Sequence, residues 1–147
     1  MANIDVLLVE DNPHDAEMIV DTLSRQDICD RVEAISDGAE ALEYLFGPQG
    51  CLSQAEIRLP KLILLDLKLP KVGGLEILKR IKSDDRTKHI PVVVFTSSDE
   101  ERDRMESYRR GANSYIVKPM HAASFAKYVA DMGAYWISMN VTTYADA

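Results

Sequence analysis

The sequence predicts an α/β fold, a five-stranded parallel sheet wound with helices on both faces, and three observations carry the prediction. Five short apolar runs alternate with segments of helical period. The runs are apolar on consecutive residues, as strands buried on both faces must be. Strands that alternate with helices pair in parallel through right-handed crossovers. At 147 residues, one domain buries roughly 70% of the surface its unfolded chain exposes. No internal repeat, low-complexity tract or linker divides it. A single domain over residues 1–147 is therefore expected, with its core at about 4–138 and a tail at 139–147.

The elements follow in order. Ile4–Val9 (IDVLLV) is the first strand; Asn12 then suits a helix cap and Pro13 the first helical position. Ala16, Ile19, Val20 and Leu23 recur behind them at helical spacing. A weaker strand, Arg31–Ile35, leads through Ser36-Asp37-Gly38 to a helix with Ala39, Leu42, Leu45 and Phe46 on one face. The loop at 47–60 (GPQGCLSQAEIRLP) is longer than an ordinary helix-to-strand connection, and is either an interaction surface or tolerated padding. Leu62–Leu65 is a continuous apolar strand ending on Asp66, and the loop LKLPKVGG opens a helix carrying Leu75, Leu78 and Ile81. Pro91–Phe95 (PVVVF) is the fourth strand. Asp99–Arg110 is a helix with acids early and arginines late, which matches the helix dipole and allows a Glu100–Arg104 pair. Met105 and Tyr108 are almost its only large apolar side chains, so it should dock loosely. Ser114–Val117 (SYIV) is the fifth strand and ends on Lys118-Pro119; the last helix runs from about His121 to about Ser138.

Composition excludes several function classes. The formal charge is −7, from 24 acidic and 17 basic residues, and without a basic stripe such a chain is ill suited to neutralise a phosphate backbone. Direct nucleic-acid binding is not expected. The two cysteines, Cys29 and Cys51, make no disulfide framework and suit a reducing compartment. No basic leader precedes the first strand, and no apolar run approaches the about 20 residues of a membrane helix. A cytoplasmic protein without a membrane anchor is the expectation.

Ligands of open parallel sheets bind beyond the carboxyl ends of the strands. Here those ends carry Glu10-Asp11, Asp66, Thr96 and Lys118. Three carboxylates about 5 Å apart repel by roughly 3 kcal/mol per pair at an effective dielectric of about 20. A divalent cation together with Lys118 would cancel that charge. The ligands are hard oxygens, which favours Mg²⁺, with Mn²⁺ as the alternative, over zinc. His14, His89 and His121 form no ligand-spaced cluster. A rim of this kind is suited to receive further negative charge, and phosphoryl is the candidate.

VEDN after strand one, LLDLKLPKVGG around Asp66, PVVVFTSS around Thr96 and YIVKP around Lys118, in that order, resemble the receiver domain of bacterial response regulators over about Ile4–Ser138. The resemblance implies a flavodoxin-like strand order of 2-1-3-4-5. It also implies a switch, not an enzyme: Asp66 accepts a phosphoryl group from the phosphohistidine of a sensor histidine kinase, and the transfer and later hydrolysis are self-catalysed. Asp11 and Asp66 would bind the metal directly, with the Lys68 backbone carbonyl as a third ligand and Glu10 acting through water. Lys118 would pair with the phosphoryl oxygens, held by a cis Lys118–Pro119 bond. Thr96 would bind the phosphoryl group, and Tyr115 would turn inward as Thr96 moves. More narrowly, LLDLKLPKVGGLEIL, RTKHIPVVVFTSS, the long loop and the aromatic last helix resemble small standalone regulators paired with phytochrome kinases. Glu10 stands where many relatives have Asp. Lys68 puts a cation beside the acceptor, and Lys68 and Ser98 are expected to tune the lifetime of the phosphoaspartate.

Plainer roles stay open for the same residues: Thr96 as a cap for the helix at 99–110, Tyr115 as a half-buried strand aromatic. Two other functions also remain, a phosphorylation-independent adaptor and an aspartyl-nucleophile phosphatase. The latter would need an acid two residues after its nucleophile, where this chain has Lys68. In the last helix, Phe125, Val129, Met132 and Trp136 form one stripe and Tyr128, Tyr135 and Met139 widen it. With Tyr128, Tyr135, Trp136 and Met139 at its surface, a homodimer through the last two helices and the fifth strand is expected. With no residues left for a DNA-binding domain, output would pass through protein contacts.

Overall fold

The computed structural model describes residues 4–26, 29, 31–53 and 59–142. Five strands, β1 (Val6–Val9), β2 (Val32–Ile35), β3 (Leu62–Leu65), β4 (Val92–Thr96) and β5 (Ser114–Val117), alternate with helices α1 (Pro13–Ser24), α2 (Gly38–Phe46), α3 (Gly74–Ser83), α4 (Glu101–Arg109) and α5 (Ala122–Gly133). All pairings are parallel, and the order is β2-β1-β3-β4-β5.

The two-sided burial inferred from the apolar runs is visible strand by strand. Leu7, Val9, Ile63, Leu65, Val92 and Val94 point to one face and pack against Ala41, Leu45, Ile77, Leu78 and Ile81 of α2 and α3. Val6, Leu8, Leu62, Leu64, Val93 and Phe95 point to the other, against Ile19 and Leu23 of α1 and Phe125, Val129 and Met132 of α5. Successive side chains on a strand face opposite ways, so an uninterrupted apolar run feeds both layers. Burying each such side chain contributes on the order of 2 kcal/mol.

Helix starts obey local chemistry. Asn12 Oδ1 accepts from Asp15 N at 3.0 Å with Pro13 in the first turn, and Asp37 Oδ1 accepts from Glu40 N at 2.7 Å. Because Asp37 is the cap, α2 begins at Gly38 and turns Gly38, Ala41 and Leu45 inward. Ala39 is exposed, contrary to the face expected from sequence, while Leu42 and Phe46 are half-buried at its edges. At the start of α3, a Cβ on Gly74 would lie 2.3 Å from the Asp66 carbonyl oxygen and 2.6 Å from Leu67 Cα. Only glycine lets this helix begin directly against the end of β3.

Helix α4 is the loosely docked element anticipated: Ser107 is its one buried residue, and Met105 and Tyr108 are 53% and 50% exposed. Its ion pairs join Glu106 to Arg110 (2.9 Å) and Arg109 (3.1 Å); the expected Glu100–Arg104 pair does not form. Glu100 occupies the cap position instead, where its backbone is extended and leaves the helix. Beyond α5 the chain widens into a π-helical turn, Ala134–Met139. A π turn advances by five residues where an α turn advances by about four. From Met132 the core stripe therefore steps to Ile137, which is buried, and Trp136 is left half-buried beside it. Residues 51–53 form a short 3₁₀ turn within the long loop. The remainder of that loop at 54–58 and of the tail at 143–147 lies outside the described residues. Cys29 and Cys51 are buried and are not joined in a disulfide, and no helix among the described residues is long and apolar enough to cross a membrane.

Candidate functional site

Register brings the strand ends together. Val9 pairs with Leu65, so Glu10 and Asp66 leave the sheet side by side. Thr96 pairs with Val117, so Lys118 is the next residue out, its N–H donating to Thr96 O at 2.7 Å. The carboxylate oxygens of Glu10, Asp11 and Asp66 lie within 4.8 Å of one another, with Glu10 and Asp66 buried and Asp11 exposed. Three hard oxygen donors at this spacing, one open to solvent, fit a divalent cation of the magnesium or manganese kind.

The ammonium of Lys118 organises the set. Its Nζ donates to Glu10 Oε1 at 2.6 Å, Asp66 Oδ2 at 2.9 Å and Asp15 Oδ2 at 2.9 Å. Its side chain is 8% exposed, as is that of Asp66; that of Glu10 is 2%. Asp66 Oδ1 accepts from the Lys68 N–H at 3.3 Å, and the Thr96 hydroxyl beside the carboxylate also favours its charged form. Glu10 Oε2 accepts from Asn12 N at 3.1 Å. Lys68 itself is exposed at the mouth of the site.

Titration follows from these contacts. Burial pushes Glu10 up to about 7, against the Lys118 hydrogen bond and with help from the Asp66 charge. Burial also pushes Asp66 upward, but the charge and hydrogen bond of Lys118 outweigh it and hold the carboxyl below its ordinary value. Burial disfavours the ammonium of Lys118, yet the hydrogen bonds of Glu10 and Asp15 and the Asp66 charge raise it above the usual lysine range. The rim thus keeps one firm cation and one firm anion, with Glu10 as the group that yields.

Thr96 is fully buried and does not cap α4, whose cap is Glu100. Its Oγ1 accepts from Ser98 N at 3.3 Å, and Ser98 Oγ donates to Asp103 Oδ2 at 2.6 Å, tying the loop to α4. Tyr115 is half-buried and its hydroxyl donates to the Ser98 carbonyl at 2.8 Å. The Lys118–Pro119 bond is trans, as are all described peptide bonds. The trans form is the ordinary preference of such bonds by about 0.5–1 kcal/mol, and the three carboxylates hold Lys118 in place without a cis turn. Tyr128, Tyr135 and Met139 are exposed, at 45%, 49% and 67%. Tyr128, Tyr135 and Trp136 line a groove of about 420 Å³ with Ser114, Ile116 and Met132 between β5 and α5.

Sequence reasoning missed Asp15. It stands at the third position of α1, where an acid reads as a complement to the helix dipole. The available signal was an acid in the first turn of the helix that starts directly after the Glu10-Asp11 strand end.

With this geometry in view, the response regulator receiver domain family model matches residues 6–130. The chain belongs to that family. It is 38% identical over 92% of its length to the probable methanogenesis regulatory protein FilR2 of Methanothrix harundinacea, covering 84% of that protein. It is 36% identical over 90% of its length to response regulator Rcp1 of Synechocystis, covering 88% of that protein. A Mn(2+)-bound Rcp1 structure superposes with a TM-score of 0.85 at 34% identity, over 95% of this chain and 98% of that one. The phosphorylated cyanobacterial phytochrome response regulator RcpA gives a TM-score of 0.87 at 37% identity, over 97% and 99%. Members of this family are phosphoacceptor switches of two-component signalling, and the strand order and acidic cluster here are those of the family fold.

The raised Glu10 predicts a pH signature. The unfolded glutamate ionises near 4.5 and the folded one near 7, so the folded state holds the proton more tightly. Stability of the metal-free protein should fall by up to about 3 kcal/mol as pH rises from about 4.5 through about 7. Millimolar Mg²⁺ should flatten that slope. Urea unfolding at pH 5, 6, 7 and 8, with EDTA or Mg²⁺, reads it; a slope that Mg²⁺ leaves unchanged would contradict the charge balance.

Proposed function

We propose that this receiver domain is phosphorylated on Asp66 by a sensor histidine kinase in the cytoplasm and passes the signal on through protein contacts. The observation that carries the reading is the single buried ammonium of Lys118 shared by carboxylates from β1, β3 and α1 at 2.6 to 2.9 Å. Similarity to Rcp1 and RcpA over nearly the whole chain supports a kinase of the phytochrome type.

In the transfer, a carboxylate oxygen of Asp66 bonds to phosphorus while the phosphorus–nitrogen bond of phosphohistidine breaks, its electron pair returning to the imidazole. Lys118 donates to the phosphoryl oxygens and holds positive charge where negative charge collects. The Thr96 hydroxyl, already beside Asp66, donates a hydrogen bond to the phosphoryl group, and Tyr115 follows as the Ser98 loop moves with it. A divalent cation would be held by Asp11, Asp66 and the Lys68 carbonyl, with Glu10 reaching it through water; when bound it supplies charge neutralisation for the phosphoryl oxygens. The phosphoaspartate is later hydrolysed by water in the same site. Lys68, exposed two residues past the acceptor, and Ser98, buried with its N–H donating to Thr96, set how readily water enters. Self-catalysed loading and loss of this kind make the protein a switch.

The apolar groove between β5 and α5 supports a homodimer. Tyr128, Tyr135 and Trp136 line it and are the large side chains that interfaces favour; Met139, and Met105 and Tyr108 of α4, are further exposed apolar side chains.

Incubation with acetyl phosphate and Mg²⁺ tests the first proposal. A stable adduct on Asp66 is expected, absent in Asp66→Asn, with Lys68→Asn changing its decay rate; turnover without adduct would mean a phosphatase, and no reaction an adaptor. For the dimer, sedentary monomeric behaviour in analytical ultracentrifugation at high concentration, phosphorylated or not, would rule it out; Trp136→Ala should weaken association at least tenfold.

A further inference from the structure

Lys118 has three N–H donors, and carboxylates take all three. If Asp66 is the phosphoacceptor proposed above, an arriving phosphoryl oxygen needs one of them, so one carboxylate must let go. Glu10 and Asp66 are poor candidates: at 2% and 8% exposure, release would leave a buried anion without its partner, a costly state. Asp15 differs. Its carboxylate is 22% exposed and borders a cavity of about 260 Å³ lined by His14, Met18, Ser97 and Pro119, with Lys118 at its wall. Water can solvate that carboxylate as soon as the hydrogen bond breaks.

We propose that Asp15 is a positioning residue that occupies, in the unphosphorylated protein, the Lys118 donor which the phosphoryl group takes over, and that its negative charge restrains loading of Asp66. The inference rests on the phosphoacceptor reading and deepens it.

The direction of the effect follows from what remains when Asp15 is neutralised. Lys118 keeps its bonds to Glu10 and Asp66, so the ammonium stays aimed at the acceptor. A fourth anion is removed, one whose oxygen and that of Asp66 both lie 2.9 Å from the same nitrogen. Two like charges so placed, about 6 Å apart or less, oppose further negative charge by an amount between the water and the surface-protein limits, worth roughly tenfold in rate. With acetyl phosphate, a carboxylate oxygen of Asp66 bonds to phosphorus, the bond from phosphorus to the acetyl oxygen breaks, and acetate leaves with the electron pair. The charge of Asp15 opposes the approach of that dianion, and the donor held by Asp15 is one the transferred group needs.

The test is the rate of adduct formation at Asp66 with acetyl phosphate and saturating Mg²⁺, for wild type, Asp15→Asn, Asp15→Ser and Asp15→Glu. Both neutral variants should load about tenfold faster at subsaturating donor, while Asp15→Glu stays within about twofold of wild type. Beryllium fluoride, an unreactive stand-in for the phosphoryl group, should bind the neutral variants tighter by a similar factor, read from the midpoint of thermal unfolding. A purely structural role would instead slow loading in every variant that is destabilised, whatever its charge. Folded neutral variants that load at the wild-type rate or slower would overturn the proposal; should one fail to fold, the other neutral variant decides. If wild type itself forms no adduct, the phosphoacceptor reading falls and takes this inference with it. A wild-type adduct with unchanged Asp15→Asn loading sinks the role of Asp15 alone.

Discussion

One ammonium group holds the functional end of this molecule together. Lys118 leaves the end of β5 and reaches carboxylates from β1, α1 and β3 at 2.6, 2.9 and 2.9 Å. Without a cation there, Glu10 and Asp66 would be buried like charges on adjacent strand ends. Removing one partner of such a buried set typically costs about 3–5 kcal/mol. The parallel register makes the meeting unavoidable, because Val9 opposite Leu65 and Thr96 opposite Val117 deliver all four strand-end residues to one rim.

The rest of the fold is arranged to keep that rim in place while leaving its surroundings able to move. The β1, β3 and β4 strands are buried throughout, and α3 begins so close to β3 that Gly74 admits no side chain. By contrast, α4 buries little beyond Ser107 and is tied to the β4 end through Ser98 and Asp103. Rigid anchoring at the acceptor and light anchoring one strand away suit a site whose change of charge must be felt at a surface. Tyr115 bridges the two, its hydroxyl resting on the Ser98 carbonyl.

Much of this was legible in the sequence for a simple reason: a strand buried on both faces cannot hide its apolar run, and a charge directly after such a run must lie at a sheet edge. IDVLLV-ED, LILL-D and SYIV-K are of that type, and each strand-end residue sits where that logic puts it. What the sequence concealed depended on side-chain reach or on departures from ideal period. Asp15 went unnoticed, because nothing local distinguishes it from an ordinary helix-start acid or reveals that a lysine 103 residues away comes to it. Ile137 replaced Trp136 in the core because a π turn breaks the α-helical count. Ala39 lost its place to Ala41 because the Asp37 cap sets the phase of α2. The trans Lys118–Pro119 bond is a choice between nearly equal isomers, which a dipeptide alone does not decide.

The account stands on the charge of Lys118 balancing the carboxylates around it, and Mg²⁺ affinity reads that balance directly. Titration calorimetry at pH 8 should compare the wild-type protein with Lys118→Met, which keeps an unbranched side chain one atom shorter and deletes its charge. With the ammonium gone, the carboxylates face the metal uncompensated, and Mg²⁺ should bind about tenfold or more tightly. An affinity unchanged or weakened in the folded variant would show that Lys118 is not the counter-charge of this site.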